Sequence, residues 1–210
     1  MTRPMDDPGS ISFDDLFRLD DIQRLQDDFS TVSGVASIIT QPDGTPITNP
    51  SNFCRLCNDI IRKTEKGYVN CTRSDSQIGM YSELGPTVQT CMSGGLWDAG
   101  AGISVGGKHV ANWLIGQVRD ATQNDIQVRR YAREIGADEN EVVEAFLEVP
   151  AIDHERFKAV AQAMFTLANQ LSSIAYQNVQ QARFIADRKN SEEQRIEMKE
   201  RAESANRSKS

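Results

Sequence analysis

The stretch Leu96-Trp97-Asp98-Ala99-Gly100-Ala101-Gly102-Ile103-Ser104-Val105-Gly106-Gly107-Lys108-His109-Val110-Ala111-Asn112-Trp113-Leu114-Ile115-Gly116-Gln117-Val118 decides the fold. It reads as two β-rich runs, 96–105 and 110–118, joined by a tight turn at Val105-Gly106-Gly107-Lys108. Thr87 to Met92 precedes them as a third strand, so the centre of the chain predicts an antiparallel meander. Such a sheet buries one face and can hold helices over a cavity. A pocket lined by Gly-rich strands and tryptophan is the natural binding site in that layout. Trp97 and Trp113 are candidates for its walls. Asp98 is a candidate for its chemistry, because an acid within an apolar strand needs a turn N–H, a polar ligand or solvent. The glycines match neither GxGxxG opening a helix nor a phosphate loop; they read as turns, bulges or close backbone approach to a ligand.

Upstream, Leu16, Leu19, Ile22, Leu25 and Phe29 recur at helical spacing, and Ser12 with Asp15 gives a capping box, which predicts a helix from Phe13 to Phe29. Residues 35–40 form a β-branched run, followed by the turn Gln41-Pro42-Asp43-Gly44-Thr45 and a short return strand, Pro46-Ile47-Thr48. Residues 51–84 read as helical with a break near Gly67. Downstream, 122–136 and 138–147 are helical by period, punctuated by Gly136 and Pro150. From Asp153 to Ser210 there is neither Gly nor Pro, and Phe157, Val160, Met164, Leu167, Leu171 and Ile174 keep a three–four spacing. The apolar stripe then thins to Val179, Ile185 and Ile196, while eight basic and six acidic residues follow from Arg183. One long helix that cannot bury itself is expected, stabilised by a partner helix, with Glu197–Arg201 and Glu203–Arg207 as supporting pairs. The expected organisation is a disordered N-terminus over 1–11, a folded domain over 12–150 and an exit helix over 151–210.

The 210 residues are 39% apolar and 25% charged, with a net charge of -7. That balance argues against generic nucleic-acid or anionic-membrane binding, both of which need a basic face. Eight Asp and three Arg fall in the first 28 residues. No run of 18 apolar residues occurs, and the N-terminus lacks a basic-then-apolar signal, so a cytoplasmic protein is expected.

All four cysteines, Cys54, Cys57, Cys71 and Cys91, lie within 38 residues in the pattern C-x2-C-x13-C-x19-C. Four thiolates could hold zinc or an iron–sulfur cluster; alternatively the thiols are redox-active, or they simply line a pocket. A structural disulfide framework is the weaker reading in a reducing compartment. A cysteine-dependent enzyme is a further alternative. Only two histidines, His109 and His154, are available as bases, and none lies near a cysteine in sequence.

Phe53-Cys54-Arg55-Leu56-Cys57, Thr64-Glu65-Lys66-Gly67, Asn70-Cys71-Thr72-Arg73-Ser74-Asp75, Thr90-Cys91 through Gly95-Leu96-Trp97-Asp98-Ala99, and Trp113-Leu114-Ile115-Gly116-Gln117-Val118 together resemble the PocR-type sensory domain over roughly residues 12–172. The resemblance implies a variant PAS-like α+β fold, an antiparallel sheet with flanking helices, that binds a small organic ligand such as a short diol or a hydrocarbon derivative. It places Cys57, Cys71 and Cys91 around the pocket; Met92 stands where many members carry a histidine. Residues 198–210 are similar to the helix entering the phospho-acceptor hairpin of sensor histidine kinases. No phospho-acceptor histidine or ATP-binding block is present, so the expectation is a non-enzymatic sensor. It would signal as a homodimer through its exit helix to a kinase module. Ligand-binding candidates are Cys57, Cys71, Cys91, Trp97, Asp98 and Trp113; metal candidates are Cys54, Cys57, Cys71 and Cys91.

Overall fold

The computed structural model describes residues 12–207. The expectation of disorder over 1–11 falls outside them. The fold is α+β, as expected. Four antiparallel strands, β1 (Ala36–Thr40), β2 (Thr87–Thr90), β3 (Trp97–Val105) and β4 (Lys108–Val118), form one sheet in the order β1-β4-β3-β2. The meander is therefore extended by β1, which pairs with β4 from Ala36 opposite Gly116 to Thr40 opposite Asn112. Gly106 and Gly107, both at positive φ (59° and 84°), make the β3–β4 turn, a backbone that L side chains resist. The expected return strand at Pro46-Ile47-Thr48 is reduced to a single bridge, Thr40 to Pro46. Proline brings no donor there, and the Thr48 hydroxyl takes the place of a backbone group by accepting from the Ile39 N–H at 2.8 Å.

The N-terminal helix is two helices, α1 (Phe13–Leu16) and α2 (Leu19–Ser33). The capping box is present, with the Ser12 N–H donating to Asp15 at 3.0 Å. Phe17 then turns extended (φ -136°, ψ 152°), which tucks Phe13 and Leu16 into the core. The helical stretch after residue 51 is also subdivided. A π-helical turn (Leu56–Ile60) and a 3-10 turn (Ile61–Lys63) precede α3 (Glu65–Ile78), and the break falls at Thr64, not near Gly67. Thr64 is extended and caps α3 by accepting from the Gly67 N–H.

Helices α4 (Asp125–Ile135) and α5 (Glu139–Glu148) are each opened by a capping side chain, Asn124 and Asp138. Asn124 accepts from the Ile126 and Gln127 N–H groups at 3.1 and 3.3 Å. Asn124→Ala should therefore lower the unfolding free energy by about 1 kcal/mol in a urea titration, while Asn124→Ser stays near wild type.

Helix α6 (His154–Arg207) runs 54 residues, roughly 80 Å at 1.5 Å per residue. Its first half crosses one face of the sheet. Phe157, Ala161, Met164, Ala168, Leu171 and Val179 are buried there with Ile103, Trp113 and Ile115. The core thus continues past the expected domain end at 150, to Val179. Beyond it every side chain from 181 to 201 is exposed except partly covered Arg183, as the thinning stripe implied. Alternation along β3 and β4 sends Ala99, Ala101, Ile103, Trp113 and Ile115 to the α6 face, and Asp98, Gly100 and Leu114 to the face under α3.

Candidate functional site

The face of the sheet opposite α6 is only partly filled. Between β1, β3 and β4 on one side and the π turn, α3 and the 91–96 loop on the other lies a cavity. Its atom-free space, mouth included, is ≈ 500 Å³, but the centre of a water-sized sphere can move within only ≈ 30 Å³. That admits a water or two, or a molecule of few heavy atoms, without rearrangement. Ile38, Leu114 and Leu96 make an apolar wall. Arg62, Asp75, Ser74, Ser93, Asp98 and Gln117 make a polar one.

Asp98 enters the cavity through a β-bulge. Trp97 pairs with Val118 and Ala99 with Ile115, so β4 carries one extra residue, at Gly116-Gln117. Gln117 holds a left-handed φ of 56° there, uncommon for a side chain of its size. Its N–H donates to Asp98 Oδ1 at 2.8 Å, and its side-chain Oε1 accepts from the Cys54 N–H at 2.9 Å. Gly116 (φ 155°) is irreplaceable, since a Cβ on it would collide with the Asp98 carboxylate. Burial pushes the Asp98 carboxyl up to about 7, against the pull of the Gln117 N–H and the Cys91 thiol. The residue therefore exchanges its proton near neutrality and can both accept and donate a hydrogen bond to a ligand.

Arg62 and Asp75 form an ion pair at 2.7 Å, with side chains only 13% and 11% exposed. The guanidinium also lies 5.2 Å over the Phe53 ring, and its Nε is buried without a partner. Burial raises the Asp75 carboxyl and Arg62 opposes the rise. Beside them a chain of hydroxyls fixes the floor. Cys71 Sγ donates to Ser93 Oγ at 3.3 Å, Ser93 meets the Tyr131 hydroxyl at 2.6 Å, and Asn70 donates to Tyr131 at 3.1 Å.

Cys57, Cys71, Cys91 and Asp98 do converge on this cavity. Trp97 and Trp113 do not, and the expectation that they wall the pocket is corrected. Trp113 faces α6, fully buried, with its ring edge against Phe29 and its N–H donating to Ser37 at 2.9 Å. Trp97 stands one residue from Asp98, so strand alternation sends its ring to the other face. There it packs against His154, ring centroids 4.5 Å apart and planes tilted by 56°, and donates to Asp120 at 2.7 Å. Of the glycines that were candidates for ligand approach, Gly100 and Gly102 are covered by the chain itself: a Cβ at Gly100 would meet the Ile78 carbonyl, and one at Gly102 would meet Tyr81.

The four thiols are free, but they are not gathered about a point. Among the described residues no three Cys, His, Asp or Glu side chains are placed to hold one metal ion. Cys71 is committed to Ser93, while Cys54 and Cys57 share one turn. The donor set does not fit the expected zinc or iron–sulfur site. Burial raises Cys71 to about 11 and pushes Cys91 well up, so both stay protonated at neutral pH, a poor state for nucleophilic catalysis.

Sequence reasoning missed Arg62, Asp75, Ser93, Gln117 and Tyr131. The one available signal was Gly116-Gln117, a polar pair within an apolar strand, which is where bulges fall. A single-layered, four-stranded sheet separates this small cavity from a helix that projects beyond the core. The profile described as the sensory domain found in PocR matches residues 15–176, and the chain belongs to that family. No curated protein and no solved structure matches it. Among the described residues no helix is long and apolar enough to cross a membrane.

Proposed function

We propose that this domain senses a small, neutral, hydroxyl-bearing organic molecule from the cytoplasm. The ligand would occupy the cavity between the sheet and α3, and its state would pass through paired α6 helices to a histidine kinase module. The observation that carries the reading is the cavity's two-sided lining. A proton-exchanging Asp98 lies at the polar end and Ile38 and Leu114 at the apolar end, in a space that suits few heavy atoms. A short diol satisfies both ends: its hydroxyls pair with Asp98 and the Gln117 region, and its methylenes with the apolar wall. The tilted contact of Trp97 with His154 supports the transmission step. A shift of Asp98 on ligand binding moves Trp97, its chain neighbour, against the first residue of α6. A ligand that binds one strand position better than another biases the helix by its difference in affinity. The kinase assignment rests on the resemblance of residues 198–210 alone.

Calorimetric titration of the purified chain with ethylene glycol, propylene glycol and glycerol tests the binding step. Saturable heat for at least one of them, reduced at least tenfold in affinity by Asp98→Ala, is the expected result. Absence of saturable binding to every short polyol would end the diol assignment.

Pairing of the helix has its own test. Phe184, Ile185, Ile196 and Met198 are at least half exposed on a helix segment that no other described element covers. Sedimentation equilibrium should give a concentration-dependent dimer, weakened at least tenfold by Phe184→Glu with Ile185→Glu, with the circular dichroism of the core retained. A strict monomer at high concentration would remove the transmission route.

A further inference from the structure

Cys54 and Cys57 stand apart from the other two thiols. They close one turn, with the Cys57 N–H donating to the Cys54 carbonyl at 3.1 Å. Residues three apart on a helical turn bring their Cβ atoms to about 5–6 Å, and a disulfide needs about 3.5–4.5 Å, so a small closing movement joins them. Cys57 itself lies in the π-helical turn, a wider and less regular ladder that can absorb such a movement. Cys54 is partly exposed, whereas Cys57 is buried behind it. This is the arrangement of an attacking thiol at the surface and a resolving thiol beneath.

We propose that Cys54 and Cys57 form a reversible disulfide with low-molecular-weight disulfides as oxidant, adding a thiol-redox input beside the ligand cavity. The Cys54 thiolate attacks one sulfur of glutathione disulfide, forming a protein–glutathione disulfide and releasing one glutathione thiolate. The Cys57 sulfur then attacks Cys54, expels the second glutathione, and gives its proton to it. Two protein thiols are oxidised, one glutathione disulfide is reduced, and two glutathiones leave. The protonation states suit the order of events. The hydrogen bond from Cys57 holds Cys54 below the usual thiol value, and that same bond, then burial and the Cys54 charge, pushes Cys57 up. Once Cys54 is in the mixed disulfide, the first and last of these causes are gone and Cys57 can ionise. The pair reaches the cavity through Gln117, whose side chain accepts from the Cys54 N–H and whose backbone donates to Asp98.

The pair is tested on the whole chain, equilibrated with glutathione buffers, alkylated and digested with trypsin. Trypsin cuts after Arg55, between the two cysteines, so a disulfide keeps the peptides ending at Arg55 and beginning at Leu56 linked. Linked peptides that dithiothreitol separates, with Cys71 and Cys91 alkylated throughout, are expected. Cys57→Ser should instead stop at one glutathione on Cys54, and Cys54→Ser should leave Cys57 unreacted. Four alkylated thiols at saturating glutathione disulfide, or a linkage to Cys71 or Cys91, would overturn the proposal. The affinity for propylene glycol, measured on both redox forms, should fall at least fivefold on oxidation; an unchanged affinity would refute the coupling through Gln117. Failure of the reduced form to bind any polyol would count against the proposed ligand only, since the peptide linkage is read without it.

Discussion

Asp98→Asn should make the domain more stable than the wild type at about pH 8, by about 4 kcal/mol, and should flatten its dependence on pH. The carboxyl is raised from an ordinary value of 3.8 to about 7, with burial as the first cause. Below the lower value both folded and unfolded chains carry the proton and Asp98 makes no difference. Between the two the folded chain keeps a proton that the unfolded chain has lost, so stability falls as pH rises, by about 1.4 kcal/mol per unit. Above about 7 the loss is complete and constant. Asparagine keeps an oxygen to accept the Gln117 N–H and never ionises. Urea titrations of both proteins at several pH values should therefore converge near pH 4 and diverge towards pH 8. Parallel curves would mean that the carboxylate is solvated in the cavity. If the same variant also loses affinity for polyols, Asp98 is a group that costs stability and is kept for recognition.

Arg62→Ala should destabilise the domain by about 3–5 kcal/mol, because it strands Asp75 in a site where that side chain is only 11% exposed. The loss should be smallest in acid. Burial already raises Asp75, Arg62 is the group that opposes the rise, and its removal lets the carboxyl take up a proton at higher pH. A folded value above the unfolded one gives stability that is lost as pH rises, so the variant's deficit should grow from about pH 4 upward. Arg62→Met combined with Asp75→Asn should recover most of the loss, since neither residue then leaves a buried charge. If the double variant were as unstable as the single one, the packing of the guanidinium on Phe53 would outweigh the ion pair.

Strands β3 and β4, their Gly106-Gly107 turn, the capped helices α4 and α5 and the projecting α6 were legible in the residues. Each depends on neighbours a few positions apart: alternation, turn chemistry, caps and a three–four stripe. The break at Phe17, the π turn at Cys57 and the pairing of β1 with β4 were not. Each is settled by contacts between distant segments, such as Phe13 and Leu16 meeting the core or Ser37 lying against Leu114. In the candidate site, Cys57, Cys71, Cys91 and Asp98, singled out in the sequence, share one cavity. The tryptophans misled, because composition gives a strand's content and not which side each residue takes once a bulge shifts the register.

By itself the sequence determined an antiparallel sheet flanked by helices, a cysteine-rich pocket region and a helix too polar at its end to be buried. Local spacing and burial demand suffice for those. Only the tertiary structure decided that Asp98 turns towards the thiols while Trp97 turns to α6. It also decided that Arg62 meets Asp75 across two turns, and that Gln117 joins Cys54 to Asp98. Those relations arise from one extra residue in β4 and from chain segments that meet only when folded, where low solvation raises the energy of every unpaired charge.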